Sequence, residues 1–297
     1  VATFIVQNSF IGDKTCTKVR KLIVDDNNLI RLISFPERDN VSKRVFKSAK
    51  MSVCIVQISK KKSNDDKFSL EVWKDKNKIE GFSTELDKRI LKLNVHYRIP
   101  ITDKEGLNIY FKILNDPKIM KFKDIADTFQ GEINMTNHKR FFSEKKNNKY
   151  HGILLKGANI QRYFVTNKMT QGKEEFLNVN SFLKNNTSGR SNAFKFERIA
   201  MQGITGDEKY RIKSCLVKKN NFLAHSTNFI LKKSNEFTNP ELIALLNSKL
   251  LNWFFRIFTT NSNVNSYEID ILPIKKFSDK NKIKIEEIFK NLNKENY

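Results

Sequence analysis

Within the first 75 residues four short apolar runs crowd together, with room for only one helix between them. Residues 2–7 (ATFIVQ), 29–35 (LIRLISF), 51–59 (MSVCIVQIS) and 68–73 (FSLEVW) are rich in the β-branched and aromatic side chains that pack well on a pleated surface. The first reads as a buried strand, and 68–73 alternates apolar and polar residues as a half-exposed edge strand would. The intervening helix carries Val19, Leu22, Ile23 and Val24, with Asp13 available to cap it. One helix cannot cover both faces of a parallel sheet, so 1–75 is expected to be the end of an α/β sheet whose earlier strands lie upstream. The opening on Val1, inside an apolar run and without a charged leader, likewise reads as a fragment of a longer protein.

From Lys74 to about Lys118 the pattern weakens into charged segments, with Pro100 and Pro117 as breakers and a helix expected over 104–114. The expected organisation is a first domain over 1–100, a linker or connecting helix over 101–118, and a second domain over 119–297. In the second, turn signals at Gly131, Gly152, Gly157, Gly189, Gly203 and Gly206 separate short mixed segments. The clearest helix follows, with Asn239 as N-cap, Pro240 in the first turn, and Leu242, Leu245, Leu246, Leu250, Trp253, Phe254 and Ile257 as its core stripe. The last twenty residues read as a Lys-rich amphipathic helix.

Lys and Arg number 55 against 32 Asp and Glu, a net charge of +23 that a polyanion would neutralise, so nucleic acid is the first partner to consider. A Lys- and Asn-rich chain from an AT-rich genome would carry such a charge without any such partner. The 24 Phe and 7 Tyr interleaved with the basic residues supply a packed core beneath a basic surface. No run of 18 apolar residues exists, so no membrane span is expected. Cys16, Cys54 and Cys215 are odd in number, far apart and without CxxC spacing, which argues against a disulfide framework or a zinc cluster and fits a reducing cytoplasm. His96, His138, His151 and His225 show no metal-ligand spacing.

The order of segments resembles the C-terminal half of TaqI-like N6-adenine DNA methyltransferases and of the type IIG restriction-modification enzymes built on them. Residues 4–10 (FIVQNSF), 18–24 (KVRKLIV) and 44–56 (RVFKSAKMSVCIV) are similar to the late methyltransferase sheet, with Gln7 where that family usually has Pro. Residues 122–131 (FKDIADTFQG), 152–163 (GILLKGANIQRY), the stretch from Phe196 through Arg198 and Gln202 to Gly203, 242–253 (LIALLNSKLLNW) and 271–274 (ILPI) are similar to its specificity domain. The resemblance implies an α/β chain: the C-terminal part of a Rossmann-like methyltransferase sheet, then a mixed α+β target-recognition domain. Its partner would be double-stranded DNA, and no oligomeric state is implied.

An enzyme that methylates an adenine amino group takes the base out of the stack and holds it against an apolar wall. Phe46 matches the family position that faces the flipped base; an ordinary core Phe is the alternative. Lys156, Asn159, Gln161 and Arg162 flank the Gly157 turn, where a glycine permits close backbone approach and cations meet phosphate, unless this is simply a solvated turn. Arg198 grips guanine and Gln202 adenine if they reach a major groove, and on a strand over 196–202 they share a face; the alternative for Arg198 is a structural pair with an acid. Lys209 and Arg211 read as phosphate contacts or solvated cations, and the loop 259–266 (TTNSNVNS) as polar contacts or plain turn chemistry.

The span has no glycine-bearing strand-to-helix turn for S-adenosylmethionine and no Asn/Asp-Pro-Pro-aromatic motif; Asn239-Pro240 already has a capping explanation. Residues 71–74 (EVWK) and 207–209 (DEK) are too common to mark a nuclease centre. No catalytic or metal-binding residue is therefore assigned to this span. S-adenosylmethionine is expected in the full-length enzyme, not on this span alone, and Mg²⁺ only if a nuclease domain is fused upstream. A stand-alone nucleic-acid-binding protein without catalysis, reading RNA through its aromatics, is the competing reading.

Overall fold

The four apolar runs become strands, and a fifth joins them. β1 (Ala2–Gln7), β2 (Asn28–Phe35), β3 (Val53–Ser59), β4 (Lys67–Trp73) and β5 (Gly81–Asp87) form one mixed sheet in the order β1-β3-β2-β4-β5. Only β2 and β4 run parallel; the other neighbours are antiparallel. The computed structural model describes residues 1–60, 66–168, 172–186, 188–206, 208–259 and 261–295, with side chains as far as Leu292. Asp207 and Thr260, within two of the segments singled out above, lie outside the described residues. The chain divides into two units, Val1–Asp116 with Arg256–Asn261, and Pro117–Phe255 with Ser262–Tyr297.

In the first unit's sheet two expectations are corrected. β1 is not buried: Phe4 is 51% and Ile5 56% exposed, because among the described residues β1 is an edge strand paired with β3 alone. β4 is not an edge; it lies between β2 and β5 and buries Phe68, Leu70, Glu71 and Val72. Its partner β5 (GFSTELD) escapes sequence reading because it lacks a β-branched run. Gly81 opens β5 where a Cβ would fall 2.1 Å from the Val72 carbonyl oxygen, so only glycine allows the strands to close there.

The helix Thr17–Asp26 buries Ile23 and Arg20 and leaves Val19 and Leu22 half-exposed. Asp13 caps the preceding turn Lys14–Cys16, accepting from the Thr15 amide at 2.9 Å, and not this helix. Buried Arg20 donates to the carbonyl oxygens of Phe10 (2.7 Å), Asp13 (2.8 Å) and His96 (2.8 Å). It thereby fixes the segment in which His96 and Tyr97 adopt left-handed backbone, φ 64° and 54°. The helix expected over 104–114 is Lys104–Leu114, capped by Asp103, which accepts from the Gly106 amide at 2.8 Å, and residues as far as Asp116 group with the first unit. The Ile101 amide bonds the Ile257 carbonyl at 2.7 Å, within the returning segment of the same unit.

The second unit holds β6 (Met120–Lys121), β7 (Ala126–Gln130), β8 (Phe142–Ser143), β9 (Gly152–Leu155), β10 (Phe176–Leu177), β11 (Arg198–Gln202), β12 (Ser214–Val217), β13 (Asn221–Leu223), β14 (Thr227–Lys232) and β15 (Pro273–Ile274). They form an antiparallel sheet β12-β11-β14-β7, a sheet β13-β9-β10-β8 in which β13 and β9 run parallel, and the pair β15-β6. β9 and β13 separate two cores, as the two-residue period of a strand requires. Leu154 and Phe222 face Ile133, Phe141, Phe182 and Phe194. Leu155 and Leu223 face Ala200, Cys215, Val217 and Phe229.

The helix expected from Asn239 is two helices, Asn239–Leu246 and Lys249–Arg256. Thr238, not Asn239, is the N-cap: its hydroxyl accepts from the Glu241 amide at 3.3 Å while Glu241 accepts from the Thr238 amide at 2.7 Å. The break falls at Asn247-Ser248, where Ser248 caps the second helix through the Leu251 amide at 3.1 Å. The C-terminal helix spans Asp279–Glu295.

Candidate nucleic-acid interface

Three chain reversals meet at one end of the β12-β11-β14-β7 sheet. Gln202, the last residue of β11, pairs with Thr227, the first of β14, and the next β14 residue, Asn228, pairs with Gln130, the last of β7. The Gly157 turn packs into this end. The Gly157 amide donates to the Ser226 hydroxyl at 2.9 Å, and the Gly203 amide to the Ser226 carbonyl at 2.8 Å. A Cβ on Gly157 or Gly203 would stand 2.7 or 2.9 Å from that same carbonyl, so both glycines are required by close backbone approach. Residues 203–205 also run beside 262–264: Val264 donates to the Gly203 carbonyl at 2.9 Å and Thr205 to that of Ser262 at 3.0 Å.

The residues singled out in the sequence fall into two groups. Around this end, Gln202 is half-buried and its side chain lies 3.5 Å from where a Gly157 Cβ would stand. Its Oε1 is buried with no hydrogen-bond partner among the described residues. Gln161 is half-buried, donating to the Ala158 carbonyl at 3.2 Å. Lys209 is exposed, 5.6 Å from the Tyr210 ring. Lys156 is ion-paired with Glu175 at 2.5 Å. Arg162 lays its guanidinium 3.9 Å from the Tyr210 ring centroid and donates to the Asn247 carbonyl at 2.7 Å.

The second group is structural. Asn159 is buried and holds the Gly157 turn, accepting from the Lys156 amide at 2.8 Å and donating to the Thr166 carbonyl at 2.9 Å. Arg211 is buried and donates to Thr205 Oγ1 at 2.7 Å and the Asn263 carbonyl at 3.1 Å. Arg198 corrects the expectation of a base reader. It is 1% exposed, 2.6 Å from Glu132 in a fully buried ion pair, and donates also to the Asn221 carbonyl. Burial drives the Glu132 pKa up and the Arg198 pKa down, and their mutual attraction opposes both shifts. β11 buries both faces, and Phe196, placed on its face by alternation, lies outside the strand and is 64% exposed.

In the first unit Phe46 is 40% exposed while its neighbour Val45 packs on the Ile33, Phe35 and Val53 cluster, so it is not an ordinary core residue. Arg44 holds the turn that carries it by donating to the Lys47 carbonyl. Sequence reading missed Tyr210, Asn247 and Asn252, which organise the rim. The signal was present: LLN recurs at 245–247 and 250–252, putting two amides on an apolar stripe, and a buried amide must find partners.

Among the described residues no three His, Cys, Asp or Glu side chains are grouped to hold a metal ion, and no step is assigned to one in this span. No helix among them is long and apolar enough to cross a membrane. No curated protein sequence matches the chain. Two restriction-modification enzymes are among the solved structures that match it. One is the type IIL restriction-modification enzyme MmeI in complex with DNA, at 12% identity and a TM-score of 0.58, covering 99% of this chain and 42% of that one. The other is the type IIG restriction endonuclease BpuSI, at 10% identity and a TM-score of 0.45, covering 97% of this chain and 42% of that one. The chain thus spans less than half the length of either. The family whose model matches is the TaqI-like C-terminal specificity domain, over residues 153–277, most of which lie in the second unit.

Proposed function

We propose that this chain supplies sequence recognition to a site-specific N6-adenine DNA methyltransferase or fused type II restriction-modification enzyme. The observation that carries the reading is the specificity-domain match over 153–277, the span that contains Gln161, Arg162, Gln202 and Lys209. In this reading the second unit meets double-stranded DNA with the end of the β12-β11-β14-β7 sheet where Gln202 lies: Lys209 neutralises phosphate, and half-buried Gln202 is a candidate base contact.

The first unit would complete a larger methyltransferase sheet. Among the described residues β1 presents an unpaired edge, and exposed Phe4 and Ile5 on β1 are apolar surface for further elements to cover. Phe46 would form the wall for the flipped adenine. S-adenosylmethionine, and Mg²⁺ where a nuclease is fused, would belong to the rest of a cytoplasmic enzyme.

The test is binding to a mixed-sequence duplex at two salt concentrations, with single-stranded DNA and an RNA hairpin as competitors. Salt-sensitive preference for duplex supports the reading, and Lys209→Ala should lower the salt slope by about one counterion. Preference for RNA or single strands would replace it with a stand-alone nucleic-acid-binding role.

A further inference from the structure

Ile160 and Val165 form an isolated antiparallel bridge, so residues 161–164 are the tip of a tight hairpin. The tip is held at several points: the Gln161 amide donates to the Phe164 carbonyl at 3.0 Å, and the Tyr163 amide to the Ser214 carbonyl of β12 at 2.8 Å. Tyr163 sits in the left-handed region, φ 78°, where a side chain other than that of Gly, Asn or Asp is strained. Arg162 is drawn inward onto the Asn247 carbonyl and the Tyr210 ring. What remains at the tip for solvent is Phe164, 41% exposed, with half-buried Tyr163 beside it.

A strained turn here shows a phenyl ring to water in a chain of net charge +23. Lys168, four residues on, is exposed, and so is Lys209, next to the Tyr210 that holds Arg162, so the surroundings suit a polyanion. Apolar side chains on rigid supports enter DNA between base steps, and stacking on a ring is available from every base. We propose that Phe164, backed by Tyr163, is a wedge that stacks on the bases of duplex DNA at an opened step. The proposal rests on the DNA-recognition reading above and adds to it a contact that is neither phosphate neutralisation nor hydrogen-bonded base readout.

The experiment compares the full chain's affinity for a mixed-sequence duplex and for the same duplex with one abasic site, where stacking is already interrupted, each at two salt concentrations. The chain should prefer the abasic duplex by about tenfold. Phe164→Ala should bring that ratio close to one with the salt slope unchanged, while Phe164→Trp should keep the ratio and show quenching of the new indole on binding. Tyr163→Gly suits the left-handed backbone, so its weakening of the preference would not come from a broken turn. Salt-sensitive duplex binding with no abasic preference, or a preference that survives Phe164→Ala, overturns the wedge and leaves DNA recognition standing. Absence of salt-sensitive duplex binding overturns both.

Discussion

Asn247 pairs with Ser214 as one strand residue pairs with another: its Oδ1 accepts from the Ser214 amide at 3.0 Å and its Nδ2 donates to the Ser214 carbonyl at 2.8 Å. Five residues on, Asn252 repeats the device, accepting from the Arg211 amide at 2.7 Å and donating to the Lys209 carbonyl at 2.9 Å. Two side-chain amides, one at the break between the helices and one in the second helix, thus hold the 209–214 segment, and with it Lys209 and the Tyr210 ring on which Arg162 rests. Both asparagines are buried, so truncating either leaves backbone groups without partners. Asn247→Ala and Asn252→Ala should each cost about 1–3 kcal/mol in urea unfolding. A variant as stable as the parent would remove the clamp.

The buried pair Arg198–Glu132 makes a second prediction. Removing one charge strands the other in a site from which water is excluded, so Arg198→Met should cost about 3–5 kcal/mol. Adding Glu132→Leu removes the orphan and should restore much of that loss. If Arg198 read a base instead, the single variant would stay stable and lose sequence preference, so unfolding and binding measurements on the pair separate the two roles.

That contrast marks where sequence reading stops. The strands β1 to β4 were legible because β-branched runs identify themselves, and the order of segments located the specificity domain. Burial was not legible for β1 or β4, because exposure of a strand depends on which strands flank it. Arg198 follows the same logic: alternation places it on a face, but whether that face meets solvent or Glu132, 66 residues away in sequence, is set by the sheet that β7 joins. The Gly157 turn was marked as a close approach and Gly203 only as a turn, and their shared partner Ser226 emerged only from the fold.

Glu71 gives a pH prediction with a built-in reporter. Burial alone would raise its pKa, but the Trp73 indole at 2.9 Å and Arg31 at 2.5 Å, with Lys78 near, outweigh burial and leave it lowered. A carboxylate whose folded-state pKa is depressed contributes stability above its unfolded value of about 4.3, and that contribution is lost as pH falls through the folded value. With Trp253→Phe removing the other indole, Trp73 emission should hold steady from neutral pH down past 4.3 and change only below it. Glu71→Gln should abolish the transition and cost about 1–2 kcal/mol, modest because Arg31 is 44% exposed. A midpoint above 4.3 would contradict the arrangement.

The three cysteines differ in burial, and their chemistry should follow. Cys54 and Cys215 have no exposed surface, and burial pushes each thiol up to about 12. At pH 8 such a thiol is thiolate only to a fraction on the order of 10⁻⁴, and the reagent cannot reach it. Cys16 is half-exposed, in the turn before the helix that carries Arg20. Iodoacetamide should therefore label one cysteine per native chain, located at Cys16 by peptide mapping, and all three in urea. Because Cys215 pairs with Ala200 between β12 and β11, native labelling there would mean that the sheet opens on the timescale of the reaction. Slower labelling at Cys215 than at Cys54 would then rank the second unit's sheet as the more stable of the two.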